Sequence, residues 1–288
     1  MAKVNLKFNW DDTLEKLKKD KTDEKRDKRF WKLTKDKKTE EGSALIRFLP
    51  DKSGVPYVLI FQHFLEYMNE EGFSKWYAGT CPTTIQKDCP ICELNKKYWN
   101  SGHEQDKEIA RKRKRKKTYI SNIVVLKDED APENEGKVFL FSYGTKIFDK
   151  IQDKVFPKNN YEDPIVVWDL FQGSNFILQS QQVKGSETNS KLISYDNSKF
   201  TKVEPLFKGD EDKLTEIMEK TYDLSEFLDP EKIDSAQVIK EKLPGIFDNI
   251  GSPITPTKTS KTVDDDYLTE SKTLDVDKLS ELEDDIPF

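Results

Sequence analysis

All three cysteines of this 288-residue chain lie within twelve consecutive residues, at Cys81, Cys89 and Cys92. The last two form a C-x-x-C pair, a spacing that lets two thiolates bind one ion from a tight turn. A closed tetrahedral site needs a fourth ligand, and the chain has only two histidines. We favour His63 because it lies in an apolar, strand-like run where a packed backbone can orient it, whereas His103 lies among polar residues. The segment from His63 to Cys92 is therefore predicted to fold around a metal ion.

Two other uses of the cysteines are compatible with this spacing: a disulfide beside one unpaired thiol, or a redox-active C-x-x-C pair. The N-terminal residues do not resemble a signal peptide, so we expect a reducing compartment, in which disulfides are rare. Redox pairs usually lie between a strand and a helix of a βαβ unit, and here a third cysteine lies eight residues upstream. We predict one structural Zn²⁺, because three thiolates and an imidazole leave no coordination position for a reactive water.

The charges of the chain are distributed unevenly around a formal net charge of −6. Residues 262–288 contain ten acidic residues and two lysines, a net charge of −8, so the other residues together carry +2. The segment from Arg111 to Lys117, called the basic run below, is seven basic residues without interruption. A basic segment in the body and an acidic tail together indicate a polyanionic partner.

Short segments rich in β-branched and aromatic residues, separated by turn residues, predict a β-rich α+β fold. The predicted strands are 43–49, 55–64, 118–126, 137–143, 165–170 and 175–183, with helices at 93–99, 146–154, 212–228 and from 230 to about 243, and a polar loop at 185–198. This pattern fits an OB-type barrel with an inserted zinc subdomain and C-terminal helices. The predicted domains are a basic and polar N-terminal arm at 1–29, a core at 30–250 that includes the zinc subdomain at about 62–100, and a disordered acidic tail at 251–288. The apolar runs are too short to cross a membrane.

Basic residues lie beside aromatic residues at several places, a combination that suits single-stranded nucleic acid. Phosphates attract Lys and Arg, and unstacked bases stack on aromatic rings. Lys75, Trp76 and Tyr77 are consecutive, and the basic run leads into Tyr119. Aromatic residues also alternate along the predicted strand 137–143, although such a stripe is more typical of a core. Because nucleotide-binding, nucleophile-elbow and metalloprotease motifs are absent from the sequence, we predict binding rather than catalysis.

Six motifs follow one another between residues 42 and 200: LIRFLP from Leu45, KWY from Lys75, CPIC from Cys89, APENEGKVF from Ala131, KIFDKI from Lys146 and YDNSKF from Tyr195. In order and spacing they resemble the single-stranded DNA-binding, helix-destabilising proteins of T-even-type tailed phages. That resemblance implies an OB-fold core with a zinc subdomain of one histidine and three cysteines, which supports His63 as the fourth ligand. It also implies a basic N-terminal arm for cooperative self-association and an acidic C-terminal region that binds partners.

The motif positions and the neighbouring basic residues define a set of predicted DNA-facing residues. The set is Arg47, Lys75, Trp76, Tyr77, Arg111, Lys112, Arg113, Lys114, Arg115, Lys116, Lys117, Tyr119, Phe141, Tyr143, Lys146 and Tyr195. The last five residues resemble the C-terminal tip of bacterial single-strand binding proteins and are predicted to bind other proteins. They are Asp284, Asp285, Ile286, Pro287 and Phe288.

These features together predict a non-enzymatic protein that binds single-stranded DNA without regard to its sequence. It would coat and protect DNA during phage replication, recombination and repair, and recruit partners through its tail, in the cytoplasm of the infected bacterial host. Two alternatives stay open at this point. One is a zinc-containing nucleic-acid enzyme, such as a nuclease subunit, and the other is a zinc-stabilised adaptor that binds only proteins.

Overall fold

The computed structural model describes residues 27–247, apart from residues 37, 40, 70, 160, 185–190 and 244. This part of the chain forms two compact units. The sheet unit contains residues 27–60 and 117–228, and the cysteine unit contains residues 61–116 and 229–247. Within the described residues, no helix has both the length and the apolar composition that a membrane span requires. Most of the predicted N-terminal arm and all of the predicted tail lie outside the described residues.

Antiparallel strands make up most of the regular structure. They are β1 (Gly42–Leu49), β2 (Val58–Met68), β3 (Ser74–Thr80), β4 (Lys116–Asp128), β5 (Val138–Tyr143), β6 (Ser174–Lys184), β7 (Lys191–Ser194) and β8 (Lys199–Val203). Strand β1 pairs with β4 and with β6, while β4 also pairs with β5, and β6 with β7 and β8. Strand β2 continues from the sheet unit into the cysteine unit, where it pairs with β3. The β-rich α+β prediction is confirmed, whereas the strand pairings of the described residues do not by themselves show a closed barrel.

The helices are short, and two of them are capped by side chains that sequence patterns favour. They are α1 (Pro90–Trp99), α2 (Glu104–Lys112), α3 (Thr145–Val155), α4 (Glu211–Glu219) and α5 (Ala236–Lys242). The Asp210 side chain caps α4 by accepting a hydrogen bond from the backbone N–H of Lys213. The Ser235 hydroxyl caps α5 in the same way, by accepting from the backbone N–H of Val238. Such caps satisfy donors that the first helical turn leaves without partners.

Several predicted elements differ from the observed ones for local reasons. Residues 165–170 form turns instead of a strand, because the Asp169 carboxylate accepts hydrogen bonds from the backbone N–H groups of Phe171 and Gln172. Helix α4 ends well before residue 228, since the backbone N–H of Tyr222 donates to Asn122 Oδ1 rather than to a helical carbonyl. The segment predicted to be helical from residue 230 forms one 3₁₀ turn before α5 begins.

Other elements were not predicted at all. Helix α2 has a strongly polar sequence, with Ile109 and Ala110 as its apolar residues, so its periodicity is weak. Strand β7 lies inside the segment predicted as a polar loop, and β8 directly follows that segment. Both strands are short and pair with β6, so their pairing, rather than their own sequence, specifies them.

An aromatic cluster fills the core of the sheet unit. The register of β4 and β5 places Tyr119 opposite Tyr143 and Ser121 opposite Phe141, so the three rings share one face. Helix α3 packs against this face, and its Phe148 ring stacks on Tyr119 with centroids 3.8 Å apart. All three rings are buried. This placement supports the core interpretation of the stripe and does not support the prediction that these rings face DNA.

Arg47 is also an interior residue. Its guanidinium donates from Nη2 to the Glu204 carbonyl at 2.8 Å and to the Asp169 carbonyl at 3.3 Å, and from Nη1 to Asn175 Oδ1 at 3.3 Å. The last four residues of β1 are buried on both faces, so strand alternation does not turn this side chain outward. Burial lowers the pKa of Arg47, although Glu204 and Asp169 oppose that effect. Arg47 therefore joins the β1, β6 and β8 regions as a buried residue, a placement that does not support the prediction that it faces DNA.

The cysteine unit has its own apolar core, built from two segments that are distant in sequence. Leu65 and Tyr77 from the β2–β3 hairpin pack with residues of α1 and with Ile239 and Leu243 at the C-terminal side. The Tyr77 hydroxyl also donates to the Asp234 carboxylate at 3.3 Å. Tyr77 is therefore a core residue rather than a DNA-facing one, and the unit extends beyond the predicted 62–100 subdomain.

Candidate metal centre and nucleic-acid interface

The four predicted metal ligands converge inside the cysteine unit. His63 lies on β2 opposite Gly79 of β3, and Cys81 directly follows β3. Cys89 is the N-cap of α1, and Cys92 lies in the first turn of that helix. The hairpin therefore supplies two ligands and the start of α1 supplies the other two. His103 is instead the exposed N-cap of α2, outside this cluster.

The spacing of the ligand atoms suits one tetrahedral ion. His63 Nε2 lies 3.3 Å from Cys89 Sγ and 3.7 Å from Cys92 Sγ, and Cys81 Sγ lies 3.6 Å from Cys92 Sγ. All four ligand atoms lie within 4.8 Å of one another. Tetrahedral zinc with bonds of about 2.3 Å to sulfur and about 2.0 Å to nitrogen separates its ligand atoms by roughly 3.5–3.8 Å. None of the three cysteines forms a disulfide.

The pKa values of the three thiols in the cluster are shifted in different directions. Hydrogen bonds with Cys89 and then Cys92 lower the pKa of Cys81. The hydrogen bond with Cys81 raises the pKa of Cys89 and raises that of Cys92 to about 11. Three thiolates at this separation repel one another, so the fully ionised set requires a bound cation.

The basic run lies on the cysteine unit up to Lys116 and is attached there by its arginines. The guanidinium of Arg111 lies 5.5 Å from the Trp99 ring centroid, and that of Arg113 lies 5.8 Å from the Tyr98 ring centroid. The guanidinium of Arg115 lies 4.2 Å from the ring centroid of Phe61. The side chains of Lys112, Lys114 and Lys116 are exposed.

The two faces of the β2–β3 hairpin differ in exposure. Strand register pairs Glu66 with Trp76 and Phe64 with Ala78, so these residues share the outer face, while His63, Leu65 and Tyr77 face the core. Trp76 is 71% exposed on that outer face, and Phe64 and Met68 are also exposed. The Lys116 ammonium lies 5.2 Å from the Phe64 ring centroid. The outer face thus combines apolar rings with positive charge, which is the chemistry of a base-stacking surface.

A second basic and aromatic group lies in the sheet unit, around the loop that begins at Tyr195. Its half-buried ring lies 5.4 Å from the Lys35 ammonium. Lys146 forms an ion pair of 3.4 Å with Asp196, and Lys150 donates to the Asp196 carbonyl at 2.9 Å. Lys146 and Tyr195 were both among the predicted DNA-facing residues. Lys35 lies outside all six motifs, and Lys150 belongs to the KIFDKI motif but was not in the predicted set.

The predicted DNA-facing residues thus fall into two groups. The buried ones are Arg47, Tyr77, Tyr119, Phe141 and Tyr143. The exposed or half-buried ones are Lys75, Trp76, the seven residues of the basic run, Lys146 and Tyr195. Phe64 was missed, although its neighbour His63 points inward and strand alternation therefore points Phe64 outward. The five residues of the predicted C-terminal tip lie outside the described residues.

Comparisons with known proteins agree with this arrangement. The family model described as "gp32 DNA binding protein like" matches residues 40–247. The chain is 34% identical over 252 residues to the "Single-stranded DNA-binding protein" of Enterobacteria phage T4, covering 83% of this chain and 78% of that protein. It is 33% identical, with the same coverage, to the protein of the same name from Enterobacteria phage T2. The resemblance predicted from the motifs is confirmed, and the chain belongs to the family of gp32-like DNA-binding proteins.

Proposed function

We propose that this protein binds single-stranded DNA without regard to its sequence and has no enzymatic activity. The exposed Trp76, on the same compact unit as the basic run, is the observation that carries this proposal. Lysine and arginine attract phosphates of any sequence, and an exposed indole stacks on any base. The two phage relatives are named as single-stranded DNA-binding proteins. The protein would coat and protect DNA during phage replication, recombination and repair, in the cytoplasm of the infected host.

The cysteine unit would hold one structural Zn²⁺ through His63, Cys81, Cys89 and Cys92. The donor set supports this assignment, because three soft sulfurs and an imidazole are ligands that zinc binds in closed tetrahedral sites. When bound, the ion would offset most of the negative charge of the thiolates and connect the hairpin to α1. For the sheet unit we propose an OB-type barrel, since the antiparallel order of β1, β4, β5 and β6 is compatible with one.

The two ends of the chain would regulate binding. The basic and polar arm at 1–29 would mediate cooperative self-association on DNA. The acidic tail at 251–288 would compete with DNA for the basic surface, because both are anionic and the tether raises the tail's effective concentration. Once DNA displaces the tail, the tip from Asp284 to Phe288 would bind replication, recombination and repair proteins. The ring of Phe288 and its terminal carboxylate suit an apolar pocket with a basic rim.

The first prediction concerns DNA binding. Wild-type protein should bind poly-dT with an affinity that falls as salt rises, because phosphate contacts release counterions. Trp76→Ala should weaken binding by about 1–3 kcal/mol while the salt slope stays nearly unchanged, since the indole stacks but carries no charge. Fluorescence titrations at several salt concentrations measure both quantities.

Trp76→Phe is the matched control, because it keeps an aromatic face and should lose less affinity. Thermal melts should be equal for the three proteins, since Trp76 is exposed. Wild-type affinity in Trp76→Ala would refute stacking at this position.

Incubation with labelled DNA and Mg²⁺ separates the alternative functions. Cleavage of the DNA would support a nuclease, and a lack of any DNA binding would support a protein adaptor.

The second prediction concerns the metal. Cys89→Ser should lose zinc, lower the melting temperature and weaken DNA binding together, because structural zinc contributes on the order of 10 kcal/mol to local folding. His103→Ala is the control and should change none of these, since His103 lies outside the cluster. Zinc content by mass spectrometry and thermal melts provide the readout. The ligand assignment would be wrong if His103→Ala released zinc and His63→Ala retained it.

The third prediction concerns the tail. Truncation after Gly251 should raise affinity for single-stranded DNA at low salt, and the difference should shrink at high salt, where charges are screened. Deletion of Phe288 alone keeps every acidic residue, so it should leave DNA affinity unchanged and abolish binding of partner proteins. Equal low-salt affinities of the truncated and full-length proteins would contradict the competition model.

A further inference from the structure

Arginine and lysine alternate along the basic run, and the contacts of their side chains point to different roles for the two residue types. This inference rests on the proposed DNA binding. We propose that Arg113 and Arg115 anchor the run to the cysteine unit, and that Lys112 and Lys114 contact the DNA phosphates. Arg115 in particular would couple the metal site to the DNA-binding surface. The sequence alone treats all seven residues of the run as equivalent charges.

Arg115 is held by three groups of the cysteine unit. Its Nη1 donates to Thr83 Oγ1 at 2.6 Å and lies 3.8 Å from the thiol sulfur of Cys92. Its guanidinium also lies over the Phe61 ring. Thr83 Oγ1 in turn lies 3.1 Å from Cys81 Sγ, so the contact reaches two of the four metal ligands. These contacts engage Nη1 and place the guanidinium over a ring, so they fix the position of the Arg115 side chain on the cysteine unit.

The charge of the metal centre explains why a cation belongs at this position. Three thiolates, one neutral imidazole and one Zn²⁺ together carry a net charge of −1. The Arg115 guanidinium beside Cys92 compensates that charge and acts as an outer-shell donor to the thiolate. Such donors orient metal ligands, and their loss typically lowers metal affinity ten- to a hundred-fold.

Arg113 is attached through both its side chain and its backbone. Its guanidinium lies 5.8 Å from the Tyr98 ring centroid, and its Nη1 is buried without a hydrogen-bond partner among the described residues, so the side chain is held by packing. The buried Asn95 side chain of α1 donates from Nδ2 to the Arg113 carbonyl at 2.9 Å. Arg111, at the end of α2, likewise combines the Trp99 contact with a 2.8 Å ion pair to Glu104. Each arginine of the run therefore has partners within its own unit.

The intervening lysines have the opposite environment. Lys112 and Lys114 are exposed, and neither forms an ion pair in the described part of the chain. The chemistry of the two side chains fits this difference. A guanidinium is planar and weakly hydrated, so it stacks on aromatic rings and donates two parallel hydrogen bonds to an acceptor group. An ammonium group is compact, flexible and strongly hydrated, so it suits an electrostatic contact with a phosphate at the surface. Along the run R-K-R-K-R-K-K, arginines that pack on the cysteine unit thus alternate with lysines whose charges are exposed to solvent.

Two double variants of the full-length, zinc-loaded protein separate the two roles. Lys112→Gln with Lys114→Gln removes two charges and should make the salt slope on poly-dT shallower by about 1.4, at about 0.7 per single-strand phosphate. Its melting temperature and its rate of zinc transfer to a chelator should match the wild type. Arg113→Lys with Arg115→Lys keeps the charge, so it should keep the slope, but it should transfer zinc about ten- to a hundred-fold faster.

A lysine variant with the wild-type slope would overturn the proposal, as would an arginine variant with the wild-type rate of zinc transfer. If the arginine variant does not fold, the lysine variant still tests the assignment of phosphate contacts, because its substitutions are on exposed side chains. The single variant Arg115→Lys then tests whether Arg115 supports the metal site. Failure of the proposed DNA binding itself would give a different result from failure of this inference. Wild-type protein would then show no salt-dependent binding to poly-dT, while zinc transfer from the arginine variants would still be faster.

Discussion

The convergence of one imidazole and three thiols on a single point is the interaction on which the cysteine unit depends. The ligands come from β2, from the end of β3 and from the start of α1, so one ion would fix all three elements. Chains shorter than about 70–80 residues rarely gain enough stability from an apolar core alone, and a structural metal is a common addition. The apolar core of this unit is small and joins two sequence segments. Much of the folding free energy of the unit is therefore expected to come from metal binding.

The same hairpin presents the metal site on one face and the candidate DNA surface on the other. His63 and Tyr77 point inward, while their neighbours Phe64 and Trp76 point outward, because strand residues alternate between faces. The basic run extends this link, since Arg115 contacts Cys92 and the neighbouring lysines are exposed. Under the proposals above, metal binding and DNA binding would depend on one set of packed contacts, and the ion would need no direct contact with DNA.

The sequence predicted the family and the convergence of His63 with the three cysteines, because both depend on spacing and on short motifs. It predicted less well which candidate DNA-facing residues are exposed, because exposure depends on what packs against a strand. Tyr119 and Tyr143 lie on a strand face that α3 covers, and Arg47 lies on a strand that is buried on both sides. Trp76 lies among polar residues in the sequence, where a core position is hard to explain, and it is exposed in the structure. The aromatic partners of the three arginines lie 12 to 54 residues away in sequence, so no local pattern separates the arginines from the lysines.

Reversible removal of the metal tests most directly whether the ion organises the DNA-binding surface. Amide hydrogen exchange of residues 111–117 and affinity for poly-dT would be measured on the same sample, first with zinc, then after chelation, and again after zinc is restored. Loss of the metal should speed exchange across these residues and weaken DNA binding, and restored zinc should reverse both changes. Unchanged exchange and unchanged affinity in metal-free protein would contradict the dependence of this surface on the metal.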